Sequence, residues 1–238
     1  MLLQIRRLSK SFGSLKAADQ IDLVVARGDA VGIIGPNGAG KSTLFNLIAG
    51  MLDADNGEVL LDGKDISRAG PHQRCRAGIG RSFQIPRPFE SLTVFENLLV
   101  AAVHGRAKGA KDDTDFCAGI LETTGLMRHA NAIAGSLTLL ERKRLEMARA
   151  LAGGPRILLL DEIAGGLTES ECLELVATIK AIQANGVTIV WIEHIVHALL
   201  AVVDRLIVLN FGRKIAEGDP AAVMASREVR EIYTGIAA

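Results

Sequence analysis

Residues 31–43 read Val-Gly-Ile-Ile-Gly-Pro-Asn-Gly-Ala-Gly-Lys-Ser-Thr: an apolar run, a glycine-rich loop, then a Lys-Ser-Thr opening to a helical stretch. No other segment restricts the fold so much, because it calls for a buried strand before, a helix after and an anion between. Gly35, Gly38 and Gly40 let the backbone bend and turn N–H groups toward phosphate, and the helix N-terminus adds partial positive charge. Lys41 has the reach for the β- and γ-phosphates of a nucleoside triphosphate, and Ser42 the hydroxyl to ligate Mg²⁺. Pro36, Asn37 and Ala39 within the loop, and Thr43 after it, complete the candidate cradle. A plain glycine-rich turn is the alternative, and the strand-loop-helix setting weighs against it.

A chain of 238 residues holds one large domain or two small ones. With 49% apolar and 23% charged residues the balance is globular rather than disordered. Lysine plus arginine (27) equals aspartate plus glutamate (27), so the positive footprint of a nucleic-acid binder is missing. Aromatics are too sparse, with one Trp and one Tyr, to build stacking platforms for single strands. Cys75, Cys117 and Cys172 are scattered and odd in number, which argues against a disulfide framework or a zinc site. The opening Met-Leu-Leu-Gln-Ile-Arg-Arg has no apolar signal core. The most apolar long stretch, Val187 to Val203, is interrupted by Glu193, His194 and His197. The expectation is a cytosolic chain, with any membrane crossed by another polypeptide.

Antiparallel strands are expected where Leu2 to Leu8 and Ile21 to Val25 alternate, and Asp62-Gly63 marks a turn after Glu58-Val59-Leu60-Leu61. Val31 to Ile34 reads as a short buried strand, Lys41 to Ala49 as the following helix and Gly50 as its stop. From Ile85 to Arg149 the character changes: Pro86 and Pro88 break the chain, and Val94 to His104 and Asp115 to Thr124 carry helical spacing. A polar joint, Gly105 to Asp113, separates the two. This stretch, roughly 85–150, is expected to be a helical subdomain inserted in an α/β core, with residues 1–238 forming one domain. Ile157 to Leu160, Val187 to Ile192 and Leu206 to Leu209 suit strands buried on both faces. Asn210-Phe211-Gly212-Arg213 reads as a hairpin turn before a strand near Lys214 to Ala216, and short helices follow Pro220.

The run from Ile157 ends in Asp161-Glu162, and open α/β sheets place ligands at the carboxyl ends of their strands. Asp161 is suited to hold Mg²⁺ through water; Glu162 is suited to face the γ-phosphate and polarise an attacking water. Acidic residues also begin ordinary loops, but a phosphate loop elsewhere favours the site. Val187 to Ile192 ends in Glu193-His194, which would bring His194 to the same edge as a donor to γ-phosphate or water; a plain polar cap is the alternative. His197 reads as structural. Gln84 closes Gly80-Arg81-Ser82-Phe83-Gln84, where an amide can touch Mg²⁺ or water and report on the γ-phosphate to the segment that follows.

These elements, in this order, resemble the ATP-binding cassette (ABC) ATPases of membrane transporters over the whole chain. Gly35 to Ser42 matches the Walker A motif and Leu158 to Asp161 Walker B. Glu162 stands in the place of the catalytic glutamate, Gln84 in that of the Q-loop and His194 in that of the switch histidine. Phe12, in Ser11-Phe12-Gly13, falls where the family stacks an aromatic on adenine; a strand-edge apolar residue is the other reading. The resemblance implies an α/β phosphate-loop NTPase core with a mostly parallel sheet, an N-terminal antiparallel β subdomain and an inserted helical subdomain. It implies ATP and Mg²⁺, a second ATPase subunit, two membrane-spanning permease subunits and, indirectly, an extracytoplasmic solute-binding protein. The chain would then sit peripherally on the cytoplasmic face of the cell membrane. Gly78 to Gln84, Leu92 to Leu98, Ile192-Glu193-His194 and Val229 to Gly235 are similar to one of the two ATPase subunits of branched-chain amino-acid importers. Transporters of amides and urea share that style.

Two places depart from the family pattern. The signature loop, usually Leu-Ser-Gly-Gly-Gln, aligns with Leu137-Thr138-Leu139-Leu140-Glu141. In the family it crosses a dimer interface to grip the opposite γ-phosphate. Thr138 keeps a hydroxyl, Leu139 and Leu140 replace residues that let backbone come close to phosphate, and Glu141 adds negative charge near an anion. Thr138-x-x-Glu141 also reads as a capping box, opening a helix whose Leu145, Ala148 and Ala152 share a face and which Gly153-Gly154-Pro155 stops. The D-loop, usually ending in Asp or Asn, is Gly165-Gly166-Leu167-Thr168. An asymmetric heterodimer is therefore expected, with a homodimer the alternative: Walker A here meets a partner's intact signature, and the reverse site turns over slowly. The segment Ile85 to Asn97 would be the mechanical output, with Phe89 either offered to a helix of the membrane subunit or turned into the core. Two other classes compete: an ABC-type ATPase acting on nucleic acid or ribosomes, and a small-molecule kinase. Neutral charge opposes the first, and a signature-type helix at Leu145 to Leu151 opposes the second.

Overall fold

A computed structural model describes residues 1–106 and 112–234. The alternating N-terminal segments form β1 (Leu3–Phe12) and β2 (Leu15–Val25), followed by β3 (Ala30–Ile34) and α1 (Lys41–Ala49). Next come β4 (Asn56–Leu61), β5 (Lys64–Asp65), α2 (Pro71–Ala77) and β6 (Ile79–Arg81). The middle of the chain gives α3 (Val94–Gly105), α4 (Asp113–Thr123), short 3-10 turns at Met127–His129 and Ala134–Ser136, and α5 (Leu139–Ala152). The chain then alternates β7 (Ile157–Asp161), α6 (Glu169–Ala184), β8 (Thr188–Ile192), α7 (Val196–Leu200) and β9 (Arg205–Asn210). It finishes with β10 (Arg213–Gly218), α8 (Pro220–Ala225) and α9 (Arg227–Thr234). Most of the polar joint, 107–111, and Gly235 lie outside the described residues.

The expected elements are present, most with ends within two residues of those expected. However, β1 runs four residues further, to Phe12, and β2 begins six residues earlier, at Leu15, because the two strands continue pairing to the hairpin tip. Sequence reasoning did not mark α2, β6 or α6. Pro71 at the first turn was the available signal for α2, and Thr168-x-x-Glu171, a capping box, that for α6.

An antiparallel sheet runs β2-β1-β4-β5, and a second sheet runs β10-β9-β3-β8-β7-β6. In the second, β9, β3, β8, β7 and β6 are parallel, and only β10 is antiparallel to its neighbour β9. Every residue of β3, β7 and β8 is buried, which is why they read as unbroken apolar runs. Their side chains alternate between two core clusters. Ile157, Leu159, Val190 and Ile192 face α1 and the antiparallel sheet, whereas Leu158, Leu160, Ile189 and Trp191 face the helical side with α5 and α6. That second cluster continues without a break into Val94, Leu98, Cys117 and Leu121, so α3 and α4 share the core of the sheet.

The end of α1 is fixed by Gly50 in the left-handed region (φ 74) and by the buried Arg74, which donates to the Leu47 and Ile48 carbonyls. A cation there suits the negative end of the helix dipole. The start of α1 is held from the other side. Phe211 and Gly212 form the two-residue turn between β9 and β10, both with positive φ, and Gly212 N–H donates to the Ala39 carbonyl at 3.0 Å.

Candidate functional site

The strands β3, β8 and β7 lie side by side and end on one edge. That order brings the loop after β3, Asp161 at the end of β7 and His194 just past β8 together from distant parts of the chain. A cavity of about 260 Å³ opens at this edge, lined by Asn37 to Thr43, Glu162, Phe12 and Leu15. Phe12 pairs with Leu15 at the tip of the β1–β2 hairpin; it is exposed, and the Lys10 ammonium lies 5.8 Å from its ring centroid.

The loop itself is set by glycine. Gly40 has φ 98, and a Cβ there would lie 2.1 Å from the Ala17 carbonyl oxygen, so no other residue fits without rearrangement. Gly38 has φ 80, with nothing within 4 Å of where its Cβ would be. Lys41 Nζ folds onto the loop, donating to the carbonyls of Gly35 (2.7 Å) and Pro36 (3.0 Å). Burial pushes its ammonium below the ordinary lysine range, while Glu162 and Asp161 pull in the opposite direction. Ser42 is exposed in the first turn of α1.

Glu162 sits in the left-handed region (φ 46), unusual for a side chain larger than glycine. Its N–H donates to the Ile192 carbonyl at 2.9 Å, tying the turn after β7 to the end of β8. Its Oε2 accepts from Gln84 Nε2 at 2.7 Å and lies 3.9 Å from His194 Nδ1. Gln84, Glu162 and the exposed His194 are thus one cluster. His197, by contrast, is an exposed residue of α7.

Asp161 is buried at the last position of β7, where its Oδ2 accepts from the Arg81 guanidinium at 2.9 Å. Sequence reasoning passed over Arg81, whose approach to Asp161 depends on the pairing of β6 with β7 rather than on a local pattern. It also passed over Glu193, read only as a break in an apolar run. The Glu193 carboxylate is buried and accepts from the backbone N–H groups of Ala164 (3.0 Å), His194 (2.9 Å) and Ile195 (3.3 Å). It also lies 3.1 Å from His194 Nδ1. One acid therefore joins the loop after β7 to the loop after β8.

Thr138, Leu139, Leu140 and Glu141 do not line the cavity. Thr138 and Glu141 form the capping box at the start of α5, with each side chain accepting from the other's backbone N–H. Glu141 is further occupied by His129, 2.9 Å away, and its carboxyl is held below the usual range by the Thr138 donors and His129 against the opposing effect of burial. This differs from a charge offered outward to an anion: the carboxylate turns back on its own helix. Leu140 points into the core, whereas Leu139 is exposed, and a Cβ on Gly166 would come within 3.3 Å of it. The two departures from the family pattern are therefore neighbours. Thr168 caps α6, a role for which Asp, Asn and Thr are all suited.

A separate groove of about 400 Å³ lies between α2, α3 and α5, with Met51, Arg81, Phe83, Phe89, Glu146 and Arg149 among its walls. Phe89 is exposed there, with the Arg149 guanidinium 5.0 Å from its ring centroid.

Among the described residues no group of three or more His, Cys, Asp or Glu is gathered as a metal cage. A cation at this edge would take most of its ligands from phosphate and water, which is the habit of Mg²⁺. Ser42 and Asp161 fit that limited role.

A glycine loop opening a helix, with acids at the end of another parallel strand of the same sheet, defines a phosphate-loop nucleotide-binding protein. Residues 18–165 match the family model described as ABC transporter. The chain belongs to that family and is one of its ATPases. It is 34% identical to the high-affinity branched-chain amino acid transport ATP-binding protein BraF of Pseudomonas aeruginosa, over 98% of each chain. It is 31% identical to the lipopolysaccharide export system ATP-binding protein LptB of Escherichia coli, over 98% of this chain and 97% of that one. The ADP conformation of MJ1267, an ATP-binding cassette of an ABC transporter, superposes with TM-score 0.89 at 33% identity, covering 99% of each chain. The dimeric bacterial cassette MJ0796 superposes with TM-score 0.80 at 25% identity, covering 92% of this chain and 99% of that one.

Proposed function

We propose that this chain is the ATP-hydrolysing subunit of a membrane importer for branched-chain or related amino acids, acting at the cytoplasmic face as half of an ATPase dimer. The observation that carries the reading is the convergence of the Walker A loop, Glu162, Gln84 and His194 on one edge of the sheet. The cargo class draws support from the full-length likeness to BraF.

In this reading the N–H groups of Gly35 to Thr43 bind the triphosphate of ATP, and Phe12 stacks on adenine. Ser42 and Asp161 would hold Mg²⁺, with Gln84 able to join them, and the ion would supply charge neutralisation at the phosphates. Lys41 turns from the Gly35 and Pro36 carbonyls to the β/γ-phosphates. Glu162 takes a proton from the attacking water, and Lys41 and His194 stabilise the charge on the γ-phosphoryl group. Catalysis is then positioning and electrostatics. Because Thr138 to Glu141 lie away from the cavity, each site is completed by the signature loop of the opposite subunit, as a dimer would allow. The groove beside Phe89 receives a short helix of the membrane-spanning subunits, so that Gln84, next in sequence to Phe83 of its wall, links cargo movement to hydrolysis. The neutral net charge supports a protein partner rather than a nucleic acid.

Affinity purification of the full chain from detergent extracts tests this. Two membrane-spanning proteins and a second ATPase subunit are expected, with ATPase activity raised by a leucine-loaded solute-binding protein. Co-purifying RNA or ribosomes without membrane proteins would overturn it.

A further inference from the structure

Arg81 belongs to two features at once. Its guanidinium donates to Asp161 Oδ2 at 2.9 Å and to Asn46 Oδ1, on α1, at 2.6 Å. Arg81 and Asp161 side chains are each only 9% exposed, so water screens the pair little. The Phe45 and Phe83 ring centroids lie 5.8 and 5.1 Å from the guanidinium carbon. Its Nε is buried with no hydrogen-bond partner, so this arrangement leaves one donor unsatisfied. The same side chain forms part of the wall of the groove beside Phe89. One residue thus separates the groove from the carboxylate at the end of β7.

We propose that Arg81 is a positioning residue that competes with a divalent cation for Asp161, so that the affinity for magnesium is set from the groove wall. The inference rests on the reading that Asp161 serves Mg²⁺. A carboxylate has two oxygens, and the guanidinium takes one of them. Its fixed positive charge, one hydrogen bond from the carboxylate and poorly screened, repels a dication brought to the same acid. Removing that charge leaves Asp161 free to turn to the metal. Any displacement of Arg81 from the groove side acts in the same direction.

The test is calorimetric titration of MgCl₂ into the full chain saturated with a non-hydrolysable ATP analogue, compared among wild type, Arg81→Met, Arg81→Gln and Arg81→Lys. Both neutral variants are expected to bind Mg²⁺ about tenfold or more tightly, and Arg81→Lys, which keeps the charge, to stay within about threefold of wild type. Binding of the analogue in EDTA is expected to change little in any of them. A folded Arg81→Met or Arg81→Gln protein with unchanged or weaker Mg²⁺ affinity overturns the proposal. Asp161→Asn separates the two levels: if it leaves Mg²⁺ affinity unaltered, the metal role of Asp161 fails and this inference with it.

Discussion

Gln84 Nε2 donates to Glu162 Oε2 at 2.7 Å, joining the amide that precedes the helical segment to the acid that ends the sheet edge. The bond uses a carboxylate oxygen that a water-activating base needs. Drawing Gln84 away therefore frees Glu162, and placing it back restrains Glu162. With the groove near Phe89 on the same segment, that single bond would connect the proposed docking surface to the proposed base.

Glu162→Gln is expected to keep ATP binding and to cut hydrolysis about 10²–10⁴-fold, the usual worth of a general base. Single-turnover phosphate release measures this, and size-exclusion in ATP is expected to show a stabilised dimer. Near-normal phosphate release would remove Glu162 from the base role.

Nucleotide binding is expected to take up protons at alkaline pH. Burial lowers the Lys41 ammonium below its ordinary value, and an arriving triphosphate raises it again. Between the lowered and the restored values Lys41 is partly neutral before binding and charged after it, so affinity falls as pH rises through that window. Calorimetry at one alkaline pH in buffers of different ionisation enthalpy reads the uptake; identical heats in all buffers would exclude it.

Gly40→Ala is expected to abolish ATP binding and lower the melting temperature, because its Cβ meets the Ala17 carbonyl at 2.1 Å with φ at 98. Gly38→Ala keeps open space around the new methyl group and is expected to cost only the left-handed backbone penalty, about 1–2 kcal/mol. Thermal melts and equilibrium binding on both variants check the contrast. Equal losses would mean that loop conformation, not the Ala17 contact, sets the requirement.

Asymmetry between paired sites is expected from Leu139 and Leu140, which stand where the family has residues that let backbone come close to phosphate. Lys41→Ala in this chain should remove most turnover of the assembled transporter, and the matching change in its ATPase partner much less. Steady-state hydrolysis by the two reconstituted mutants decides this, with equal losses counting against asymmetry.

Thr138→Ala is expected to destabilise the chain by about 0.5–2 kcal/mol through loss of the α5 cap. Urea denaturation gives the value, and Thr138→Ser is expected to recover most of it.

Much of the site could be read in the sequence because its signals are local. The strand before Gly35, the glycines and Lys41 lie within one short stretch, and Asp161-Glu162 directly follows an apolar run. Arg81 and Glu193 were not legible because their partners are fixed by strand order. Arg81 meets Asp161 only because the short strand β6 adds to the edge of β7, and a strand of 3 residues has no usable periodicity. Glu193 reaches Ala164 across neighbouring strand ends, 29 residues away in sequence. Leu139 and Leu140 are identical in the sequence, and only the start of α5 decides that one faces outward and the other inward. The helix α6 escaped notice because exposed Leu173 interrupts the stripe formed by Cys172, Leu175, Val176 and Ile179.

The reciprocal cap at the start of α5 makes that turn self-sufficient, since Thr138 and Glu141 answer each other's amides with no help from a nucleotide. The exposed Leu139 within it is consequently released from any duty to preserve the scaffold, whereas Leu137 and Leu140 stay in the core. A lineage can drift at such a junction and still inherit an intact subunit, which would let one arm of the proposed pair specialise while the other keeps the shared chemistry.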